Sequence, residues 1–332
     1  MQTTLLALVL AAAAQAQTFI YQNPTADQAI RRTLQATYSL DLEEARRAAR
    51  ELQRTHADHP VGFLLEGETY WWQAQTDPTN EKIEDQFFNA QDKTIDIAEM
   101  ALKAKKYPAL EIQAYLASAW GSKARFRLTQ DGIGWSTVND GRRAKNYALD
   151  VFKADPKYID IFVGVGAYNY FSGRIPAILK PFAFLLGASG DAELGLKQLR
   201  TAIEQGRYAR TEAKIVLFTA LMKDGAFADS FKILQGLMSE YPGNYAFYPW
   251  VTQWYLEQNK IADGIAYLEK LHAEKLPSLP KLAQYALFQK AWLQAHNKRP
   301  EEARTTLRRL RTLGTPDPGL ARSLSEMEKG LD

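Results

Sequence analysis

The sequence predicts an all-α protein, a right-handed solenoid of antiparallel helix pairs, and three observations carry this prediction. Apolar residues recur at helical spacing through nearly the whole chain that follows an apolar N-terminal run. No segment shows the alternating Val, Ile and Thr pattern of a strand. A small residue followed by apolar residues four and seven positions later recurs, and its later copies lie 34 to 39 residues apart. Regular spacing of this length is typical of stacked helix pairs.

Composition places the chain among ordinary globular proteins and excludes several chemistries. Of its 332 residues, 46% are hydrophobic and 24% are charged, and the formal net charge is +3. This charge is too small to indicate nucleic-acid binding. The chain has no cysteine, which excludes disulfides, thiolate metal sites, cysteine nucleophiles and lipidation at a cysteine.

The N-terminal sequence is typical of a signal peptide. Leu5 to Ala14 is an apolar run too short to span a bilayer, and Ala14-Gln15-Ala16 is the small-x-small pattern that signal peptidase recognises. No Lys or Arg precedes the run, and a buried N-terminal helix is the alternative interpretation. We expect residues 1–16 to be cleaved after Ala16 and the mature chain, 17–332, to be periplasmic or secreted.

The helices can be predicted in chain order from their starts, faces and ends. The first opens with Asp41 as its N-cap, places Leu42, Ala45, Ala49 and Leu52 on one face and stops before Pro60. Further helices are predicted at 61–76, 80–106, 109–127, 140–154, 158–171, 191–204, 208–223, 226–240, 245–258, 261–274, 280–296, 299–312 and 318–330.

The recurring motif has a simple physical interpretation. A small residue lets a second helix cross closely, and the two apolar residues that follow it fill the seam. A proline twelve positions after the small residue, as at Pro60, Pro156 and Pro242, closes the unit. The copies are Ala144/Ala148/Val151, Gly195/Leu199/Ala202, Ser230/Leu234/Leu237, Gly264/Leu268/Leu271 and Ala303/Leu307/Leu310.

This period and residue order resemble the tetratricopeptide repeat (TPR), best over residues 191–315. Most first helices lack the large aromatic residue and the glycine of that family, so the repeats are degenerate. The predicted division is a single solenoid with degenerate repeats over 17–160, an insert region over 161–190 and clearer repeats over 191–332. The resemblance implies a non-catalytic scaffold whose concave face binds a protein or peptide partner.

The stretch from Gly164 to Asp191 explains the 51-residue gap between two copies of the motif. Gly164-x-Gly166 is not a dinucleotide loop because no strand precedes it. A short apolar helix bounded by Pro176 and Gly187 is predicted as a helical insert near 173–190, followed by an Asp191 cap. Residues 160–205 resemble the TPR family linked to inclusion-body clearance at the mitochondrial outer membrane, from which we take only shared architecture.

No residue pattern indicates catalysis, a cofactor or a metal. His56 and His59 are three apart at a helix end without a third spaced ligand, so a helix cap is favoured. Glu66 and Glu68 precede an aromatic cluster, but on a helix they point about 200° apart and cannot form a facing acid–base pair.

The resemblance to TPR proteins also implies which residues line the groove. Counting back from Ser230, Gly264 and Ala303, the groove candidates are Glu212, Thr219, Lys223, Gln253, Glu257, Tyr285, Trp292 and His296. Their mixed character suits a peptide better than nucleic acid. Two alternatives stay open, which are an envelope glycan-binding or glycan-processing protein and a lipid-surface protein that docks weakly through residues 175–188.

Overall fold

The computed structural model describes residues 17–77, 80–130, 132–175, 189–275 and 280–331, and within these ranges the regular structure is helical, without a strand. Short 3₁₀ helices lie at Ile20–Gln22, Ile159–Ile161 and Tyr245–Phe247. The α-helices are α1 (Pro24–Tyr38), α2 (Leu42–Thr55), α3 (Val61–Thr76), α4 (Glu81–Ala104), α5 (Ala109–Gln130), α6 (Trp135–Ala154), α7 (Phe162–Gly173), α8 (Ala192–Gln205), α9 (Arg210–Lys223), α10 (Phe227–Glu240), α11 (Tyr248–Glu257), α12 (Ile261–Lys275), α13 (Pro280–His296), α14 (Pro300–Thr312) and α15 (Pro318–Leu331).

The helices are stacked as a solenoid with two layers. Every helix packs against the next one along the chain. Odd-numbered helices also contact one another, α1 with α3, α3 with α5, α5 with α7, α7 with α9, α11 with α13 and α13 with α15. The odd helices therefore form one layer and the even helices a second one, which confirms the predicted all-α solenoid.

The helix predictions after residue 41 agree with the structure within three residues at most ends. Helix α6 differs most, because it begins at Trp135 rather than at residue 140. The segments predicted from 158 and 245 start as 3₁₀ turns before their α-helices begin. Helix α1 was not predicted, although Asn23 accepts hydrogen bonds from the amides of Thr25 and Ala26 at 3.0 and 3.2 Å and so caps it.

The small residues of the motif lie where two helices cross. A Cβ atom on Gly195 of α8 would lie 2.5 Å from the Tyr170 amide nitrogen and 2.6 Å from the Gly166 carbonyl oxygen, both on α7. A Cβ on Gly264 of α12 would lie 2.9 Å from the Tyr255 side chain on α11. The larger motif residues Leu199, Leu234, Leu268 and Leu307 are at most 2% exposed. The seam interpretation of the motif is confirmed.

Two glycine variants separate the crossing effect from helix propensity. We expect Gly195→Ala to lower the free energy of unfolding by about 1–3 kcal/mol, because backbone atoms of α7 must move away. Gly236 of α10 is exposed and has no atom within 4 Å of an added Cβ. Gly236→Ala should therefore stabilise the protein by up to about 1 kcal/mol. Urea unfolding of both variants measures the difference, and equal effects of the same sign would contradict the close crossing.

The insert region can be described only at its flanks. Helices α7 and α8 pack directly against each other, and Gly190 lies so close to α7 that an added Cβ would be 2.5 Å from the Asn169 carbonyl oxygen. Asp191 caps α8 by accepting from the Glu193 and Leu194 amides at 3.0 Å, as predicted. The predicted helix from Pro176 to Gly187 and most of the lipid-docking segment 175–188 lie outside the described residues.

The two halves of the solenoid, which are the residues before and after the insert region 161–190, meet across its inner face. The Trp72 ring of α3 is 5.7 Å from the Phe247 ring and 6.4 Å from the Trp250 ring, and Asn244 donates a 2.8 Å hydrogen bond to the Tyr38 carbonyl. At the C-terminal end, Arg322 of α15 pairs with Asp77, which follows α3. Aromatic side chains from both halves thus fill much of the inner face that the sequence predicted as an open groove.

Candidate partner-binding cleft

The structure divides the eight predicted groove residues into two groups. Glu212 is partly buried and Tyr285 is buried, and both are engaged inside the fold. The other residues are exposed: Thr219, Lys223, Gln253, Glu257, Trp292 and His296. The exposed residues lie on α9, α11 and α13, as the predicted register requires, but only Gln253, Trp292 and His296 line one common cleft.

Glu212 belongs to a charged cluster in the middle of the molecule. Arg125 of α5 donates from Nη1 to Glu212 of α9 and from Nη2 to Glu68 of α3, the latter at 2.7 Å. The Arg125 guanidinium also lies 4.0 Å from the ring centre of Trp71. We call Glu68, Arg125 and Glu212 the Arg125 cluster. Because it joins α3 and α5 to α9, it ties the two halves of the solenoid together.

Two negative charges share one positive charge in this cluster. Burial raises the pKa of the Glu212 carboxyl above its ordinary value, the nearby Glu68 charge raises it further, and Arg125 opposes both effects. About a quarter of the Arg125 and Glu212 side chains stays accessible to solvent. Because Glu212 pairs with Arg125 inside the fold, we conclude that it holds the two halves together and does not bind an external ligand.

Tyr285 is likewise engaged in contacts within the fold. Its ring stacks on Tyr245 with 3.9 Å between the ring centres, and its hydroxyl donates to the Asp317 carboxylate at 3.1 Å. Only 6% of the residue is exposed. Burial, first of all, raises the pKa of the Tyr285 hydroxyl, so that the phenol keeps its proton. Tyr285 therefore holds α13 against the loop that leads into α15.

A cleft of about 630 Å³ lies beside these buried positions, between α11, α13 and α15. We call it the C-terminal cleft. This volume is within the range of about 300–1,000 Å³ that is usual for binding pockets. Its lining residues are Pro249, Thr252, Gln253, Leu256, Phe288, Gln289, Trp292, Ala295, His296, Ser323, Glu326, Met327, Gly330 and Leu331.

The C-terminal cleft has a satisfied polar floor and an aromatic wall. Thr252 donates a 2.9 Å hydrogen bond to Gln289, and both residues are buried. Trp292 stacks on His296 with 5.2 Å between ring centres and 9° between planes. The Trp292 side chain is nevertheless among the large apolar groups that remain exposed, at 37%. A surface indole in a concave site is a typical anchor for a partner.

Sequence reasoning did not assign α15 to the site. Ser323, Glu326 and Met327 line the cleft although they lie outside the predicted repeat pattern. The available signal was the amphipathic pattern of 318–330, which predicted the helix but not the surface it would meet. Its position depends on Asp317, which accepts from Tyr285, and on the Arg322–Asp77 pair.

The histidine pair at 56 and 59 takes structural positions. His56 is the C-cap residue of α2, but its backbone amide rather than its side chain reaches the Leu52 carbonyl, at 2.8 Å. His59 is fully buried, and its Nδ1 accepts from the Val61 amide at 3.2 Å. Among the described residues, no three histidine or carboxylate side chains are arranged to hold a metal ion.

Glu66 and Glu68 point to opposite sides of α3, as predicted. Glu66 accepts from Arg50 at 3.0 Å and from Gln53 at 2.7 Å, both on α2. Glu68 instead accepts from Arg125 and Ser122 on α5. The two carboxylates share no partner in these contacts, which agrees with the conclusion that they do not form a facing acid–base pair.

Comparison with known proteins adds a family match at the cleft. Residues 285–313, which cover most of α13 and all of α14, match the tetratricopeptide repeat family model. A search of curated proteins finds no match. Among solved structures, the chain is similar to a tetratricopeptide repeat protein from Parabacteroides merdae ATCC 43184, with 14% identity and a TM-score of 0.38 over 90% of this chain and 98% of that one. No helix in the described ranges is long and apolar enough to span a membrane.

Proposed function

We propose that this degenerate TPR-like protein is a non-catalytic scaffold of the cell envelope that binds a protein partner in the C-terminal cleft. The single observation that carries the proposal is the exposed Trp292 indole in a cleft whose lining also offers the apolar side chains of Leu256, Phe288 and Met327. TPR-like folds generally serve protein–protein interaction. The inner face near α3 and α5 is filled by the chain itself, so the proposed site is narrower than the groove the sequence predicted.

Removing the Trp292 indole should weaken partner binding and leave the fold intact. We expect Trp292→Ala to weaken partner affinity by about 1 kcal/mol or more, because buried aromatic anchors dominate interface energetics. The same change should cost about 1 kcal/mol of stability, since the side chain is already partly exposed. Immobilised wild-type and variant proteins would be incubated with the native envelope fraction, and the proteins retained would be quantified by mass spectrometry.

Trp135→Ala is the matched control, because Trp135 is 77% exposed on α6, which does not line the cleft. A partner retained by wild type and Trp135→Ala but lost from Trp292→Ala supports the scaffold. Retention of the same partner by Trp292→Ala in the same amount as by wild type would contradict the cleft as its site. Stable binding or turnover of peptidoglycan would favour the glycan alternative, and flotation with liposomes the lipid-surface alternative.

The envelope setting makes its own prediction. Because Ala14-Gln15-Ala16 follows an apolar run, we expect the mature protein to begin at Gln17. Intact-mass measurement of the protein from its native envelope is the test. Recovery of a chain that begins at Met1 would contradict export.

A further inference from the structure

We infer that the partner of the C-terminal cleft is an amphipathic helix whose polar face carries lysine or arginine. This inference rests on the proposed function and adds the chemistry of the partner. It follows from three properties of the cleft, which are the sign of its charges, the position of its exposed indole and the helical spacing of its walls.

The charges on the cleft are acidic. Its lining, as far as the structure describes it, includes the exposed carboxylate of Glu326 and no lysine or arginine. A second exposed carboxylate, Glu257, lies at the rim, where its oxygen accepts from the lining residue Gln253 at 2.5 Å. Arg304 reaches the Leu331 carbonyl at one end, but it also pairs with Glu301 at 2.6 Å. An acidic rim favours a basic partner and disfavours an acidic one.

The Trp292 indole provides a second attraction for a cation. It is 37% exposed, and the His296 ring stacks on one of its faces and leaves the other as the face open to a partner. A lysine or arginine side chain of the partner can lie over this face while its carbon stem contacts Leu256 or Met327. The indole and the two carboxylates therefore select for the same charge.

The walls of the cleft match a helix in length and spacing. Helix α11 contributes Pro249 and Leu256, which are seven residues apart, and α13 contributes Phe288 and Ala295 with the same separation. Each stripe runs for two helical turns, or about 10 Å. A partner helix with apolar residues at i, i+3 or i+4, and i+7 presents a complementary stripe. No sheet edge occurs in the described chain to which an extended peptide could add.

Three synthetic peptides test the inference directly. The first is a helical peptide of about five turns with leucines on one face and lysines on the other. The second replaces every lysine by glutamate, and the third keeps the lysines but scrambles the leucine positions. Binding to the full mature chain would be measured by isothermal titration calorimetry. Helix content of each peptide would be matched by circular dichroism under the same conditions.

We expect the lysine peptide to bind at least about tenfold more tightly than the glutamate peptide at low ionic strength, and added salt should narrow the difference. The double variant Glu257→Lys with Glu326→Lys should reverse the preference. Trp292→Ala should weaken binding of the lysine peptide, whereas Trp135→Ala should not.

The outcomes separate this inference from the proposed function. Equal binding of both charged peptides, a preference for glutamate, or equal binding of the scrambled lysine peptide would overturn the basic amphipathic partner. A glutamate preference that Trp292→Ala abolishes would leave the cleft as a partner site and remove only the charge assignment. If sedimentation shows a dimer that Trp292→Ala dissociates, the occupant is a second copy of the chain and the inference is wrong.

Discussion

Replacing Arg125 by methionine is expected to lower the free energy of unfolding by about 3 kcal/mol at neutral pH. The change leaves Glu68 and Glu212 close together without their shared cation, and removing one partner of a buried ion pair costs about 3–5 kcal/mol. The lower end of this range applies because a fifth to a quarter of each side chain stays accessible to solvent. Urea unfolding followed by circular dichroism measures the loss.

This loss should depend on pH in a defined direction. Burial already raises the pKa of Glu212 in the folded wild-type protein, and Arg125 holds that rise in check. Without Arg125 the folded-state pKa rises further above the unfolded value, so the folded state favours the protonated carboxyl. The variant should therefore approach wild-type stability below the ordinary glutamate pKa and lose stability as pH rises through the folded value. Unfolding of both proteins at about pH 5 and pH 8 shows the trend.

Two further variants make the result specific. Arg47→Met removes an arginine of α2 whose side chain is 77% exposed and pairs with Glu44, and it should change stability by less than about 0.5 kcal/mol. The triple change Arg125→Met, Glu68→Gln and Glu212→Gln should recover most of the loss, because no unpaired charge is left. A triple variant as unstable as Arg125→Met alone would mean that packing over Trp71, rather than charge, holds the halves together.

Leu268→Ala is expected to cost about 3–5 kcal/mol, a comparable loss with a different physical origin. Leu268 of α12 is fully buried, and it is the large residue four positions after Gly264 in the motif. Truncation removes apolar contacts and leaves a cavity in a seam where Gly264 already lies close to the Tyr255 side chain. The loss should not depend on pH, which distinguishes it from Arg125→Met.

The comparison with Trp292→Ala tests the register of the repeats. Leu268→Ala should melt at a much lower temperature yet bind the partner normally whenever it is folded. Trp292→Ala should melt near the wild type and bind the partner more weakly. If the two variants destabilise the protein equally, the assignment of Leu268 to a seam and of Trp292 to a surface is wrong.

Local sequence signals determined the helices and their crossings. Asp41 and Asp191 marked helix starts because a carboxylate can accept from free amides there, and both caps are present. Gly195 and Gly264 marked close crossings because a Cβ atom would meet the backbone of α7 at Gly195 and the Tyr255 side chain of α11 at Gly264. These effects act within a few residues or between neighbouring helices. Helix α1 was not predicted, although Asn23 followed by Pro24 is itself a local signal for the start of a helix.

Only the tertiary structure decided which groove positions remain open. Glu212 and Trp292 were both predicted to line the groove, yet Glu212 pairs with Arg125, which is 87 residues away, and Trp292 stays exposed. The C-terminal cleft likewise exists because Arg322 pairs with Asp77 across 245 residues and holds α15 beside α13. A repeat pattern records contacts between adjacent helices. It carries no information on how far the solenoid curls, and that curvature determines which side chains meet across the inner face.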